Sequence, residues 1–188
     1  MRQAIEGGAR LIQYRDKTSS KAIQRQTARV LTRLCHSRDV LFFVNDDPEI
    51  AKFSQADGVH LGQGDATLAE ARHILGPEKY IGVSCHDSLD LALRAQAQGA
   101  DYIAFGRFFP SQTKPQAVAA APELLAKARP LIRLPIVAIG GISAENGLSL
   151  LEQGADMLAV IQAVFAQQDI QAAAAKIARL FAQHAEPA

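Results

Sequence analysis

The sequence has few cysteines, almost no net charge and no long apolar run. Cys35 and Cys85 are its only cysteines, which argues against a disulfide framework or a zinc site and fits a reducing, cytoplasmic location. The 188 residues carry 20 Lys and Arg and 19 Asp and Glu, so no bulk field attracts nucleic acid or an anionic membrane. No segment has the length of a membrane span, and the polar start Met1–Gly8 is too short for a signal peptide. Any anionic ligand must therefore be held by local groups.

The chain does contain a repeated alternation of short apolar strands and helices. Strands of four or five apolar residues separated by helices favour a parallel sheet that is buried on both faces. Helix-ending glycines lead directly into strands at Gly7–Arg10, Gly99–Tyr102 and Gly154–Met157, as expected for a barrel built from like units. Seven strands are predicted, starting near Arg10, Leu41, Gly58, Tyr80, Tyr102, Ile136 and Met157, with the fourth over Tyr80–Val83 and the last over Met157–Ile161. Helices are predicted over Ser19–His36, Glu49–Ser54, Thr67–Leu75, Leu89–Gln98, Pro122–Ala128 and Ala144–Gln153, and from about Ile170 to His184.

Two α/β folds compete for this pattern. A doubly wound open sheet usually carries a glycine-rich fingerprint in its first strand–helix turn, and no G-x-G-x-x-G opens this chain. A (β/α)8 TIM barrel fits the repeat better, although it needs eight units and Met1–Gly8 reads as the end of a helix with no strand before it. We expect one barrel domain over residues 1–188, N-terminally incomplete and lacking its first β-strand. A homo-oligomer stays open as its assembly state, because unpaired strand edges would be exposed.

Acidic residues follow two neighbouring predicted strands. Asp46 comes after the strand Leu41–Val44, and Asp65 comes after the strand Asp57–Leu61. Parallel neighbours lie roughly 4.8 Å apart, so both carboxylates leave the same edge of the sheet close together. A Mg²⁺ site would use such a pair together with waters. Either residue alone is more typical of a helix cap, but the matched pair favours a metal.

Cations and hydrogen-bond donors follow other strands. Gln13, Arg15 and Lys17 alternate, so all three can face one pocket and hold phosphate oxygens, although a solvated strand end explains them equally well. Ser84 could donate a hydrogen bond to a ligand. His86 could act as a base, but a histidine beside an aspartate is more often a solvent-facing residue.

The longest loop and the last two strand ends have the composition of a second phosphate site. The loop from Gly106 to about Ala120 contains Ser111, Thr113 and Lys114, and a loop of this length in a compact barrel is usually functional. A polar surface loop would explain the hydroxyls but not the adjacent Phe108 and Phe109. Further along, Gly140 and Gly141 follow the strand that starts near Ile136, and a predicted helix starts at Ile161 and Gln162 after the last strand. Both features favour an anion. Two phosphorylated ligands would fit, with departure of pyrophosphate as the chemistry, because no acid–base pair or activated nucleophile stands out.

With these residues in place, the chain resembles thiamine-phosphate synthases from Met1 to about Phe165. Seven motifs carry the resemblance, and their order makes it specific. They are QYRDK at Gln13–Lys17, NDD at Asn45–Asp47, DGVHLGQGD at Asp57–Asp65, GVSCH at Gly82–His86, PSQTKP at Pro110–Pro115, AIGGI at Ala138–Ile142 and GADMLAVI at Gly154–Ile161.

The resemblance implies a (β/α)8 barrel, Mg²⁺ and a transferase of thiamine biosynthesis. Such an enzyme joins a hydroxymethylpyrimidine diphosphate to a thiazole phosphate and releases pyrophosphate, which leaves before the thiazole nitrogen attacks. The implied pyrimidine diphosphate residues are Gln13, Tyr14, Arg15, Asp16, Lys17, Asn45, Ser84 and Lys114, with Arg15, Lys17, Ser84 and Lys114 as the catalytic ones. The implied thiazole phosphate residues are Ser111, Gln112, Thr113, Gly141, Ile161 and Gln162, and the implied metal ligands are Asp46 and Asp65.

The chain departs from the family pattern at three positions. Ser111 stands where a threonine is usual, Arg107 where a proline is usual, and Gln162 where a serine is usual. Two alternative functions remain open. One is the sister thiazole tautomerase, which would use His86 as its base, although the acidic pair and Lys114 argue against it. The other is an inactive, truncated barrel that binds a phosphorylated ligand or a partner.

Overall fold

The computed structural model describes residues 1–111, 116 and 118–185. The described strands are β1 (Leu11–Tyr14), β2 (Leu41–Asn45), β3 (Gly58–Leu61), β4 (Tyr80–His86), β5 (Tyr102–Phe105), β6 (Ile136–Ile139) and β7 (Met157–Ala159). The described helices are α1 (Arg2–Glu6), α2 (Lys21–His36), α3 (Pro48–Ser54), α4 (Leu68–Leu75), α5 (Leu89–Ala97), α6 (Glu123–Ala128), α7 (Gly147–Glu152), α8 (Gln162–Phe165) and α9 (Ile170–Ala185).

All seven strands form one parallel sheet in the order β1-β2-β3-β4-β5-β6-β7. Each strand therefore pairs with the next one along the chain, as in the wall of an α/β barrel. No described strand pairs with the outer edge of β1 or of β7, where an eighth strand would close the barrel. The predicted fold class, a (β/α)8 barrel that lacks its first strand in this chain, is confirmed.

Side-chain caps fix where four of the helices begin. The Ser20 hydroxyl accepts a hydrogen bond from the backbone at the start of α2, and Asp47 does the same for α3. Thr67 and Glu70 form a reciprocal capping box on α4, and Ser88 caps α5. These caps set the turns at the carboxyl ends of the strands, which is the edge where α/β barrels place their sites.

Two apolar layers fill the molecule. The larger layer lies between the sheet and the helices and includes Phe42 and Leu125. The smaller one lies on the opposite, inner face of the sheet and consists of Phe43, Tyr102, Ala104 and Val137, with Leu11, Ile139 and Met157 packed against it. Because side chains alternate along a strand, this division identifies which polar residues face inward.

Element boundaries differ most from the predicted ones at the end of β4, which continues to His86 instead of stopping at Val83, and near β6 and β7. The helix predicted over Ala144–Gln153 begins only at Gly147. The delay has a local cause, since Asn146 accepts a hydrogen bond from the Ser143 amide at 2.8 Å and donates one to the Gly141 carbonyl at 3.1 Å. The last strand stops at Ala159 rather than at residue 161. None of the described helices combines the length and apolar character that crossing a bilayer requires.

Candidate active site

Two carboxylates meet at the sheet edge where β2 and β3 end. Asp46 has a left-handed backbone with φ of 68°, and its amide donates to the His60 carbonyl at 2.7 Å. The Asp65 carboxylate accepts from the Gly62 amide at 2.7 Å and also makes a hydrogen bond with the Asp46 side chain. Burial and then the contact with Asp46 raise the pKa of Asp65. Two carboxylates in contact need a proton or a cation between them.

The helix-cap alternative does not account for this pair. The cap of α3 is Asp47, whose carboxylate accepts from the Ile50 amide at 2.9 Å and also pairs with Lys21. The cap of α4 is Thr67. The two carboxylates that meet are therefore not needed to begin these helices.

The carboxylate pair has the composition of a magnesium site. Lys17 forms an ion pair with Asp46, so one cation already faces the pair. Residues 1–111, 116 and 118–185 contain no group of three or more His, Cys, Asp or Glu side chains placed to hold a metal. Mg²⁺ commonly binds through one or two carboxylates and completes its shell with waters and substrate phosphates, so Asp46 and Asp65 fit that ion.

The end of β1 presents polar side chains on two different faces. Leu11 packs in the inner layer, so Gln13 and Arg15 follow it on the inner side, and both are exposed at the edge. Ile12 and Tyr14 pack in the outer layer beneath the helices. Gln13 and Tyr14, both predicted to hold the diphosphate, therefore lie on opposite faces of the sheet.

Asp16 holds the turn between β1 and α2. Its carboxylate accepts from the Thr18 and Ser19 amides at 2.9 and 3.0 Å and from the Tyr14 hydroxyl at 3.0 Å. Hydrogen bonds from Ser19, and then from the Thr18 amide, lower the pKa of Asp16 well below its usual range. The Asp16 carbonyl also accepts from Gln24 of α2. Tyr14 and Asp16 therefore shape the turn that presents Lys17.

A buried line of polar side chains crosses β3, β4 and β5 on the inner face. The Ser84 hydroxyl lies 2.8 Å from Nε2 of His60, and the Tyr102 hydroxyl lies 2.9 Å from Nδ1 of the same ring. Asn45 is the register partner of His60 on β2, which places it on the same face. Gly82 lies directly beneath the Tyr102 ring, and a Cβ at that position would overlap the ring atoms.

Three residues of this region were not predicted as site residues, namely His60, Gln63 and Tyr102. The Gln63 side chain donates to the Ser84 carbonyl at 2.6 Å, which ties the turn containing Asp65 to β4. Alternation along β3 and β5 could have identified the histidine and the tyrosine as inward-facing. The prediction considered the carboxyl ends of the strands and the loops that follow them, whereas His60 lies inside β3 and Tyr102 is the first residue of β5.

The loop after β5 packs on the double glycine after β6. A Cβ at Gly141, where φ is 66°, would collide with the Pro110 carbonyl and lie 2.7 Å from the Phe109 carbonyl. The residue after Pro110 is Ser111, which is half-buried, so this predicted thiazole phosphate residue lies next to the glycine turn.

The remaining predicted residues of this set divide into two groups. Ile161 is 52% exposed and immediately precedes α8, and Gln162 is the first residue of that helix. The predictions for Gln112, Thr113 and Lys114 lie outside the described residues.

Two groups at the carboxyl end of β4 do not contribute a reactive centre. His86 has a left-handed backbone with φ of 51° and an exposed side chain. Burial raises the pKa of the Cys85 thiol to about 12, so it stays protonated and packs as a small apolar residue. The chemistry of the described site therefore rests on cations, hydrogen-bond donors and the carboxylate pair.

Comparison with known proteins identifies relatives along nearly the whole chain. The sequence model of the thiamine monophosphate synthase family matches residues 1–164. A thiamine-phosphate synthase from Thiobacillus denitrificans is 52% identical over 184 residues, covering 98% of this chain and 86% of the relative. Another from Thioalkalivibrio sulfidiphilus is 51% identical over 177 residues, covering 94% and 84%.

The fold comparison agrees with the sequence comparison. The solved structure of a thiamine phosphate pyrophosphorylase from Pyrococcus furiosus superimposes with a TM-score of 0.91 at 36% identity, covering 98% of this chain and 89% of that one. The family indicated by the seven motifs is therefore confirmed, and the chain belongs to the thiamine monophosphate synthase family.

Proposed function

We propose that this chain joins a hydroxymethylpyrimidine diphosphate to a thiazole phosphate, giving thiamine phosphate and pyrophosphate. Relatives that are about half identical carry the name thiamine-phosphate synthase and align over nearly all of the chain. The observation that carries the proposal is the contact between Asp46 and Asp65 beside Lys17. It brings an acidic pair and a cation to the strand edge where a diphosphate would lie.

The first substrate would be held by its diphosphate. Arg15 and Lys17 would neutralise phosphate oxygens, and Gln13 and Asn45 would donate hydrogen bonds from the inner face. Ser84 would donate a further hydrogen bond, and Lys114 is the third predicted cation. These groups would stabilise the negative charge that grows on the departing pyrophosphate, which is electrostatic catalysis.

Asp46 and Asp65 would hold Mg²⁺. When bound, the ion supplies a positive charge that stabilises the leaving diphosphate. The Gly62 amide holds Asp65, and Lys17 holds Asp46. The ligand positions would thus be set before substrate binds, which limits the reorganisation that binding requires.

The second substrate would be held at the far end of the same edge. Ser111 and the Gly141 turn would bind the thiazole phosphate together with Gln112, Thr113, Ile161 and Gln162. The close approach of Pro110, the residue before Ser111, to Gly141 supports this arrangement. The thiazole nitrogen would then attack the pyrimidine methyl cation left by departure of pyrophosphate. No base is needed, because the attacking nitrogen carries no proton.

No observation on the described residues supports the tautomerase or the inactive barrel. The tautomerase would need His86 as a base, and that residue is exposed on a strand end with no described partner in the site. An inactive barrel would have no reason to keep the carboxylate pair. We also infer a cytoplasmic enzyme with small-molecule partners only; the absence of nucleic-acid and membrane partners, the homo-oligomer and the single domain over residues 1–188 stay predictions.

The experiment measures thiamine phosphate and pyrophosphate formed from both substrates with Mg²⁺. We expect product from the unaltered chain and a loss of roughly 10²-fold or more in turnover for Asp46→Asn and Asp65→Asn, because each removes a charge that would hold the metal. Asp47→Asn is the matched control, since asparagine still caps α3 and the residue points to Lys21. Normal turnover in both site variants would refute the proposed metal ligands, and no product from the unaltered chain would refute the function.

A further inference from the structure

Three buried polar side chains beneath the site form one continuous hydrogen-bonded line. Ser84 is 9% exposed, His60 8% and Tyr102 8%. The His60 ring links the two hydroxyls through its two nitrogens, at 2.8 and 2.9 Å. Ser84 is the member nearest to the carboxyl end of the sheet, because it lies two residues beyond Gly82, the register partner of both His60 and Tyr102. The Gln63 side chain reaches the Ser84 carbonyl there. The line therefore connects the inner core to the edge of the candidate site.

The Tyr102 hydroxyl fixes the direction of this line. Burial raises the pKa of Tyr102, so its hydroxyl keeps its proton. In the part of the chain that the structure describes, Nδ1 of His60 is its one hydrogen-bond partner. A buried donor without an acceptor is less favourable than an acceptor with an unused lone pair. The tyrosine proton therefore points to Nδ1.

The hydrogen bond from Tyr102 also determines which atom donates between His60 and Ser84. A neutral imidazole whose Nδ1 accepts a hydrogen bond carries its proton on Nε2. That N–H donates to the Ser84 oxygen, which leaves the serine proton free to point away from His60. The opposite polarity, in which serine donates to Nε2 and Nδ1–H donates to tyrosine, would strand the tyrosine proton among apolar side chains.

We propose that Tyr102 and His60 are positioning residues that turn the Ser84 hydroxyl proton toward the strand-edge site, where it donates to a diphosphate oxygen. The assignment of the ligand rests on the proposed function. A diphosphate offers only acceptors to a hydroxyl, so a serine whose hydroxyl donates to His60 could not also donate to the ligand. We call the hydrogen-bonded chain Tyr102–His60–Ser84 the relay. The relay leaves the Ser84 hydroxyl proton available to the diphosphate before binding.

Apolar packing around the Tyr102 ring fixes the position of its hydroxyl beside His60. The Tyr102 ring stacks on His60 at a centroid distance of 5.5 Å and contacts the Phe43 ring at 5.7 Å. Gly82 supplies the space beneath the ring. Because apolar contacts fix the tyrosine, its hydroxyl can be removed without removing its packing, which makes Tyr102→Phe an informative substitution.

The test combines ¹⁵N NMR of the ligand-free protein with pyrophosphate binding in the presence of Mg²⁺. We expect His60 to be the Nε2–H tautomer in the unaltered chain. In Tyr102→Phe we expect a shift toward Nδ1–H, affinity for pyrophosphate about tenfold weaker, and a similar fall in kcat/KM. Tyr80→Phe is the matched control, because Tyr80 also stacks on Phe43 but its hydroxyl has no partner among the described residues. The control should leave all three readouts unchanged.

A resting His60 with the proton on Nδ1, or with both nitrogens protonated, would overturn the proposal without any variant. Unchanged tautomer and unchanged pyrophosphate affinity in a folded Tyr102→Phe protein would also overturn it. The NMR and binding readouts do not depend on turnover. A chain that makes no thiamine phosphate but shows the expected tautomer and affinity changes would refute the proposed function and leave the relay intact.

Discussion

At the scale of single residues, close packing inside the sheet decides which substitutions the site tolerates. Gly82 lies beneath the Tyr102 ring with no room for a Cβ. The same ring carries the hydroxyl that contacts His60. A substitution at Gly82 that displaces the Tyr102 ring would therefore also change the hydrogen bond between His60 and Ser84.

Gly82→Ala should destabilise the protein by about 1–3 kcal/mol, the usual range for an overpacked site. It should also lower kcat/KM, because a displaced Tyr102 ring no longer holds His60 in place. Urea denaturation and the product assay would measure the two effects. Gly64→Ala is the control for stability, since a Cβ there meets nothing within 4 Å. Equal stability of the two variants would contradict this account of the packing.

The sequence alone was enough to place residues that directly follow a predicted strand. Asp46 and Asp65 were predicted to meet because each follows a strand, and parallel neighbours end at the same edge. The contact between His60 and Tyr102 joins residues 42 positions apart and depends on the register of three strands. Alternation shows which face of a strand a residue occupies. It does not show which residues of separate parallel strands lie side by side, so the hydrogen bonds of His60 could be identified only from the structure.

At the scale of elements, the helix caps determine where the strand-end turns stop. The predicted helix starts were within one or two residues where a Ser, Thr or Asp cap was present, as at Thr67 for α4. The start of α7 was predicted three residues early, because Asn146 bonds back to Ser143 and Gly141 instead of extending the helix. A helix cap can be recognised from a few adjacent residues in the sequence. Hydrogen bonds between side chains and backbone within a loop, such as those of Asn146, cannot be recognised in the same way.

Thr67→Ala should cost about 1 kcal/mol of stability, the typical loss for an N-cap hydroxyl. The substitution leaves the Glu70 amide, at 3.2 Å from the hydroxyl, without its acceptor. Thr67→Ser keeps the hydroxyl and is the matched control, expected to remain close to the unaltered protein. The shift in the urea midpoint at constant m-value would measure the difference. Indistinguishable midpoints for the alanine and serine variants would contradict a stabilising cap.

At the scale of the whole molecule, carboxylates at several turns link folding to pH. Backbone hydrogen bonds from Ser19 lower the pKa of Asp16, and those from Thr67 lower the pKa of Glu70. Between the folded and unfolded pKa values, the unfolded chain binds more protons than the folded one. Stability from these groups is therefore complete above the unfolded pKa of about 4 and is lost as the pH falls through the folded values.

Asp16→Asn combined with Glu70→Gln should flatten the acid limb of the stability curve, because neither amide side chain takes up a proton on unfolding. The free energy of unfolding, measured by urea denaturation from neutral to acid pH, should fall less steeply in the double variant. Glu78→Gln is the control for charge, since Glu78 is exposed and hydrogen-bonds to no described residue, and its slope should match that of the unaltered chain. Parallel curves for the double variant and the unaltered chain would mean that other groups set the acid response, and the turn carboxylates would then have no measurable part in linking pH to folding.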